Sequence, residues 1–230
     1  MKKISTIFIA LATIAAAVMP LSRSGRHLGR FSFVEHQTEP LLAEGEYDIS
    51  PYDNIFRRVA RRHNMDWRLL AAIASCESRF DAAACSERGA LGLMQVMPHI
   101  ARHFDVEREE LLDPAINIDV ACKIYRSTRR QLNLYRSQVA EIDIIAFTIA
   151  AYNCGASRII DAQNLAEYYD DNKYEWAVVA DYLQLLGDEE FYNHEAVVGD
   201  QFAQGHITVA YTNRVLERYA RYKREVGIEK

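Results

Sequence analysis

Apolar positions along this chain fall on helical periods almost throughout, and strand-like alternation is nearly absent. Ser50, Pro51 and Asp53 read as a helix start, with a cap, a first-turn proline and an early acid. Ile55, Phe56 and Val59 then form a buried face, with Arg57, Arg58, Arg61 and Arg62 largely on the others. Asp66 opens the next helix, whose apolar stretch from Leu69 to Ala74 ends near Ser78. Residues 86–97 read as a loop with short extended segments at most, and Pro98 begins a short helix. Asp113 and Pro114 repeat the cap-and-proline signal and lead a long helix to about Tyr135. Residues 142–151 are apolar on nearly every face, as a central buried helix is. Further helices are predicted over 156–168, 174–186 and 207–223. The fold class is all-α. No internal repeat is visible, and low complexity is confined to the acidic turn 188–190.

The start of the chain has a different character. Lys2 and Lys3 precede an apolar run from Ile4 to Met19, the pattern of a secretory signal over residues 1–19. An uncleaved N-terminal anchor is the rival reading, since the run of 16 residues from Ile4 to Met19 sits near the lower edge of a bilayer span. Small residues at Ala15–Ala17 favour cleavage, and no cysteine follows the run to carry a lipid. The protein is therefore expected to be exported, in the periplasm or held at the cell envelope through its first segment. Residues 20–46 mix Arg, Gly, Pro and Glu without a period and read as a tether or tail, leaving 47–230 as one domain.

Charge adds little. The whole chain has 27 basic against 32 acidic residues, and losing Lys2 and Lys3 changes the net from −5 to −7. Mild acidity argues against a nucleic-acid partner. The arginines of the first helix could grip an anion, but a solvated face is the favoured account. Cys76, Cys85, Cys122 and Cys154 lie in an exported chain, where disulfides persist. The pairings Cys122–Cys154 and Cys76–Cys85 are favoured because each ties neighbouring elements, with four small buried hydrophobes as the alternative. The spacings fit no zinc pattern, and His99 and His103 lack the glutamate of H-E-x-x-H, so no metal is expected.

The candidate chemistry begins at Glu77, which closes the apolar helix in the stretch I-A-S-C-E-S-R-F-D ending at Asp81. A desolvated carboxyl keeps its proton near neutral pH and can act as a general acid. A salt bridge to Arg79 or Arg88 is the plain alternative. Then comes G-A-L-G-L-M-Q-V-M-P at Gly89–Pro98, where Gly89 and Gly92 let the backbone turn and approach a ligand. A-A-Y-N-C-G at Ala150–Gly155 offers a phenol and an amide at the end of the buried helix.

In this order and spacing, E-S-R-F, G-A-L-G-L-M-Q-V-M-P and A-Y-N-x-G resemble the soluble-lytic-transglycosylase domain family, which is lysozyme-like. I-I-D-A at Ile159–Ala162, Trp176 and G-H-I-T-V-A-Y at Gly205–Tyr211 bring the likeness nearer to the membrane-bound lytic murein transglycosylase F type. The resemblance covers roughly residues 47–225. It implies a goosefoot-type helical domain with little or no sheet, acting on peptidoglycan glycan strands without a cofactor. It further implies that Glu77 protonates the bond between N-acetylmuramic acid and N-acetylglucosamine, then takes the proton of the muramic 6-hydroxyl. That hydroxyl attacks its own anomeric carbon, leaving a 1,6-anhydro end. Ser86, Met94, Gln95, Tyr152, Asn153 and Tyr211 match family positions around the acid. Each has a plainer reading: Ser86 as a loop cap, Met94 as core filler, Tyr152 and Asn153 as a polar helix end, and Tyr211 as an amphipathic helix residue.

The chain departs from its relatives at Ile207, where they usually carry a glutamate, so one polar support is lost or supplied elsewhere. The solute-binding domain that F-type relatives carry before the catalytic one is not expected within a chain of this length. Two alternatives remain: a hydrolytic muramidase using Asp81 or Glu87 as a second acid, and a catalytically silent peptidoglycan-binding protein. Trp176, Tyr168 and Tyr169 could stack on sugars, although core packing explains them equally well.

Overall fold

The computed structural model describes residues 48–134 and 138–226; the expected signal segment, the tether and Tyr135 lie outside the described residues. Helix α1 spans Asp53–His63 and begins later than Ser50–Pro51 suggests. Those residues form a preceding turn instead, and Asp53 explains why. Its buried carboxylate accepts from the backbone N–H groups of Asp48, Ile49 and Ser50, each at 2.9 Å, and from the Ser50 hydroxyl at 3.0 Å. Capping is thus done by an acid inside the first turn.

Helix α2, Trp67–Glu77, follows the sequence closely: Asp66 caps it by accepting from Arg68 N, and residues 67–75 are all buried. A long irregular segment follows, holding only isolated bridges between Cys85, Leu91 and Val96. It leads to the short helix α3, Pro98–Ala101, and two 3₁₀ turns at Arg102–Phe104 and Glu109–Leu112. Helix α4, Pro114–Gln131, is capped by Asp113, which accepts from Ala115 N and Ile116 N. It stops short of the predicted end, and just beyond it Asn133 turns left-handed at φ 50°. Helix α5, Glu141–Cys154, is the apolar rod expected, with Phe147, Thr148 and Ile149 fully buried. Helices α6, Ala156–Tyr168, and α7, Trp176–Leu185, pack on one another. The acidic turn at 188–190 in fact opens a one-turn helix, α8, Glu189–Tyr192. Helix α9, Gly205–Glu225, closes the described chain.

The core has two lobes. One gathers Phe56, Leu70, Ile73, Leu93, Met94 and Ile118 from α1, α2, α4 and the irregular segment, and α9 adds Tyr211 and Val215. The other gathers Phe147, Ile159, Leu165, Trp176 and Leu183 from α5, α6 and α7. Helix α9 packs on both α2 and α5, and the C-terminal end of α2 meets it where the Tyr211 hydroxyl reaches Glu77. All four cysteines are free thiols, so neither expected pairing is made. Cys122 lies wholly inside the first lobe and Cys154 packs against the second, each as a small hydrophobe. Burial pushes both thiols up to about 12. Among the described residues no helix is long and apolar enough to cross a membrane.

Candidate active site

Glu77 is the last residue of α2, and the chain leaves the helix sharply: Arg79 and Phe80 both take left-handed backbone, at φ 57° and 66°. Such conformations are costly for side chains with a Cβ and collect at functional sites. Phe80 turns back to pack edge-on against Phe56, with ring centroids 6.3 Å apart. The Glu77 carboxyl is thereby left against the apolar end of its helix. Burial raises it from 4.5 to about 7, against the opposing pull of the Tyr211 hydroxyl, which donates to Oε1 at 2.6 Å. Among the described residues no ion pair engages Glu77, so the salt-bridge reading with Arg79 or Arg88 does not hold. Tyr211 itself is buried, and burial together with the Glu77 charge pushes its phenol well up.

This burial has a thermodynamic consequence. Below pH 4.5 Glu77 is neutral in folded and unfolded chains alike and adds no pH dependence. Between pH 4.5 and about 7 the unfolded chain ionises while the folded one holds its proton, so stability falls as pH rises. The shift corresponds to a loss of about 3 kcal/mol, complete above pH 7. Glu77→Gln is expected to remove that loss and to be the more stable protein at pH 8, with little difference at pH 4. Urea unfolding of both proteins at the two pH values measures it.

The segment 89–96 is pinned by Asn117. The fully buried Asn117 amide donates to Leu91 O and Leu111 O, each at 2.9 Å, and accepts from Met94 N at 2.8 Å. Gly92 is needed because this pin is so close: it has φ 72°, and a Cβ there would lie 2.5 Å from Asn117 Nδ2. The close approach expected of Gly92 is therefore to the protein's own core and not to a ligand. Ser78 adds a second tie, donating to Leu93 O at 2.9 Å.

The other expected residues divide into two groups. Tyr152, at the end of α5, is half-buried against the first lobe, and its hydroxyl donates to Met94 O at 3.0 Å, joining α5 to the segment. Burial first, and the Glu77 charge second, raise its phenol well above the ordinary value. Asn153 is exposed, and its Oδ1 accepts from the Thr208 hydroxyl at 2.8 Å. That bond leaves its Nδ2 as the outward donor. Tyr211 is thus bonded to the Glu77 carboxyl and Tyr152 lies close enough to feel its charge, while Asn153 is tied through Thr208 to the helix that carries Tyr211. Met94 instead places its side chain in the core, and only its backbone takes part. Ser86 Oγ accepts from Ala90 N at 3.0 Å, capping its own loop. Gln95, in left-handed backbone at φ 48°, donates to Ala84 O and Gly92 O and braces the same loop. Trp176 is a core residue, edge-on to Phe147. Ile207 is half exposed, and Thr208 beside it donates to Asn153 Oδ1.

Asn117 and Thr208 were not singled out from the sequence. For Asn117 a signal existed: an amide flanked by Ile116 and Ile118 on a face that must be buried. His103 Nδ1 bonds the His99 carbonyl at 3.0 Å. Asp81 holds a turn by accepting from Ala83 N at 2.8 Å, and Glu87 is exposed. What the geometry offers is one desolvated carboxyl raised to about 7, bonded by the Tyr211 hydroxyl, with the Tyr152 phenol near enough to feel its charge.

Comparison with known proteins agrees with this reading of the fold. The transglycosylase SLT domain model matches residues 54–175. The membrane-bound lytic murein transglycosylase F of Marinobacter nauticus is 29% identical over 193 residues, covering 84% of this chain and 36% of that protein. Its namesake in Ectopseudomonas mendocina is 31% identical over 169 residues, covering 73% of this chain and 32% of that protein. The chain therefore spans about a third of the length of these relatives. Among solved structures, the 70 kDa soluble lytic transglycosylase of Escherichia coli superposes with a TM-score of 0.54 at 22% identity, over 76% of this chain and 24% of its own. An inactive mutant of the lytic transglycosylase Slt of Pseudomonas aeruginosa gives 0.52 at 20% identity, over 77% and 24%.

Proposed function

Because this chain belongs to the transglycosylase SLT domain family, we propose that it is an exported peptidoglycan lytic transglycosylase in which Glu77 is the single acid and then base. The observation that carries the reading is the Glu77 carboxyl itself, raised by burial to about 7 and held by Tyr211. An acid of that pKa holds a proton for the departing sugar oxygen and, once ionised, is basic enough to accept one back. The glycosidic oxygen between N-acetylmuramic acid and N-acetylglucosamine takes the Glu77 proton as its bond to the muramic anomeric carbon breaks. The muramic 6-hydroxyl then bonds to that carbon and returns its proton to Glu77. The product carries a 1,6-anhydro end, and no water is consumed. Intramolecular attack suits a site with one carboxyl, because the nucleophile is already tethered to the reacting carbon. Tyr211 orients the carboxyl, the Asn153 Nδ2 faces the sugar, and the segment around Gln95 walls the cleft.

In this account residues 1–19 direct export or remain as an anchor, 20–46 tether, and 47–230 carry the catalysis at the cell envelope. Purified peptidoglycan digested with the protein is expected to release muropeptides one water lighter than hydrolysis products. Mass spectrometry of the soluble fragments decides it: reducing ends would make the protein a muramidase with a second acid. Tyr211→Phe is expected to raise the Glu77 pKa further, because the lost hydrogen bond favours the ionised form. The alkaline limb of its pH–rate profile should move upward while the maximal rate falls by about tenfold.

A further inference from the structure

A second feature lies at the far end of α6 from the candidate site. α6 starts at Ala156, beside Asn153, and its 13 residues carry the chain about 20 Å to Tyr168. There a groove of about 550 Å³ opens between the ends of α6 and α7 and the turn of α8. Its walls hold aromatic rings, Tyr169, Tyr182 and Phe191, and carboxylates, Asp171, Asp181 and Glu190. Tyr169 stacks on Tyr182 with centroids 5.9 Å apart and planes 13° from parallel, and Phe191 tilts against Tyr169 at 6.4 Å. The rings are not simply core, since Tyr169 is 44% exposed. Asp171 is fixed by the Tyr182 hydroxyl, which donates to it at 2.5 Å. Among the described residues no ion pair engages Asp171, Asp181 or Glu190.

We propose that this groove is a second binding site, for an alkylammonium group, and that the group is the free side-chain amine of the diamino acid in a peptidoglycan stem peptide. The proposal rests on the reading of peptidoglycan as substrate. Aromatic faces attract a cation through their quadrupole, and unpaired carboxylates at the rim add charge attraction that a neutral sugar would leave unused. A groove of this volume holds a peptide arm rather than a folded partner's helix. The groove lies one length of α6 away from the Asn153 end of that helix, so a stem peptide further along a glycan strand seated at Glu77 would be the one to enter it. Cross-linking consumes that amine, so the groove would favour strands whose stems are not yet cross-linked.

Titration calorimetry of the full chain with the tripeptide L-Ala–D-Glu–L-Lys amide, and with its side-chain acetylated form, tests the assignment. The free amine is expected to bind, with acetylation, Asp181→Asn and Tyr169→Ala each weakening it by about tenfold. Binding should also fall as salt is raised. Equal binding of the acetylated peptide, no binding of either, or binding untouched by both substitutions would overturn the proposal. Tighter binding of a lysine-rich decapeptide, lost in the same variants, would overturn the stem-peptide source in favour of a protein segment. The tripeptide contains no glycan, so its result is independent of Glu77 chemistry, whose failure would appear in the product masses instead.

Discussion

Glu77→Gln should release soluble fragments from peptidoglycan about a thousandfold more slowly than the parent protein, in line with the 10²–10⁴ that a positioned general acid contributes. Glutamine keeps the shape of the side chain, and its amide oxygen can still accept from the Tyr211 hydroxyl, so the site should remain folded. What it loses is the proton for the departing oxygen and the base that later receives one. Both steps run through the same atom pair, so no second carboxyl can take over half the work. Rates of fragment release at pH 6, with unfolding curves recorded alongside, measure the effect. The unfolding curves matter because the same substitution should stabilise the chain above pH 7. A slower but sturdier variant is the signature of a carboxyl kept buried for chemistry at the expense of stability.

The second large effect belongs to a residue remote from the proton transfer. Asn117→Ala is expected to destabilise the protein by about 4 kcal/mol, as it removes a fully buried amide and leaves its partners without a replacement. Met94 N–H, Leu91 O and Leu111 O would lose their bonds in a dry environment, and a cavity would open behind the segment. The damage should also reach the site. Met94 O is the acceptor for Tyr152, so a slackened segment releases the phenol that lies within the field of the Glu77 charge. Urea denaturation at pH 6 measures the first consequence. Asn117→Asp separates the two, since it keeps the size and the acceptor for Met94 N while losing the donors to Leu91 and Leu111.

The helices were legible because their end signals are local. Asp66 and Asp113 each accept from backbone N–H groups one or two residues into the helices they precede, so spacing alone locates those starts. Helix α6 matched its predicted limits for a similar reason, being preceded by Gly155, whose φ of 92° breaks the chain cleanly after α5. The start of α1 was misplaced because Asp53 caps from inside the first turn, a role that resembles an ordinary early acid in sequence. The acidic turn at 188–190 hid a helical turn, since three acids in a row carry no apolar period.

Site residues follow the same division. Glu77 was readable because it ends an apolar run, and burial of that run is what raises its pKa. Tyr152, Asn153 and Tyr211 stand out through family resemblance, and the Tyr211–Glu77 and Thr208–Asn153 bonds depend on α9 packing on both α2 and α5. The bonds from Asn117 to Leu91 and from Thr208 to Asn153 span 26 and 55 residues. Nothing in a local window encodes such pairs. The cysteine pairings failed for a related reason: neighbouring elements in sequence placed Cys122 and Cys154 in different lobes of the core.

Everything in this account depends on Glu77 holding its proton near neutrality. Labelling glutamate side chains at the carboxyl carbon and following their ¹³C shifts through a pH titration reads that directly, with Glu77→Gln assigning the resonance. A midpoint of about 7 is expected. A midpoint near 4.5, the ordinary value, would mean that the carboxyl is ionised at neutral pH and cannot be the acid.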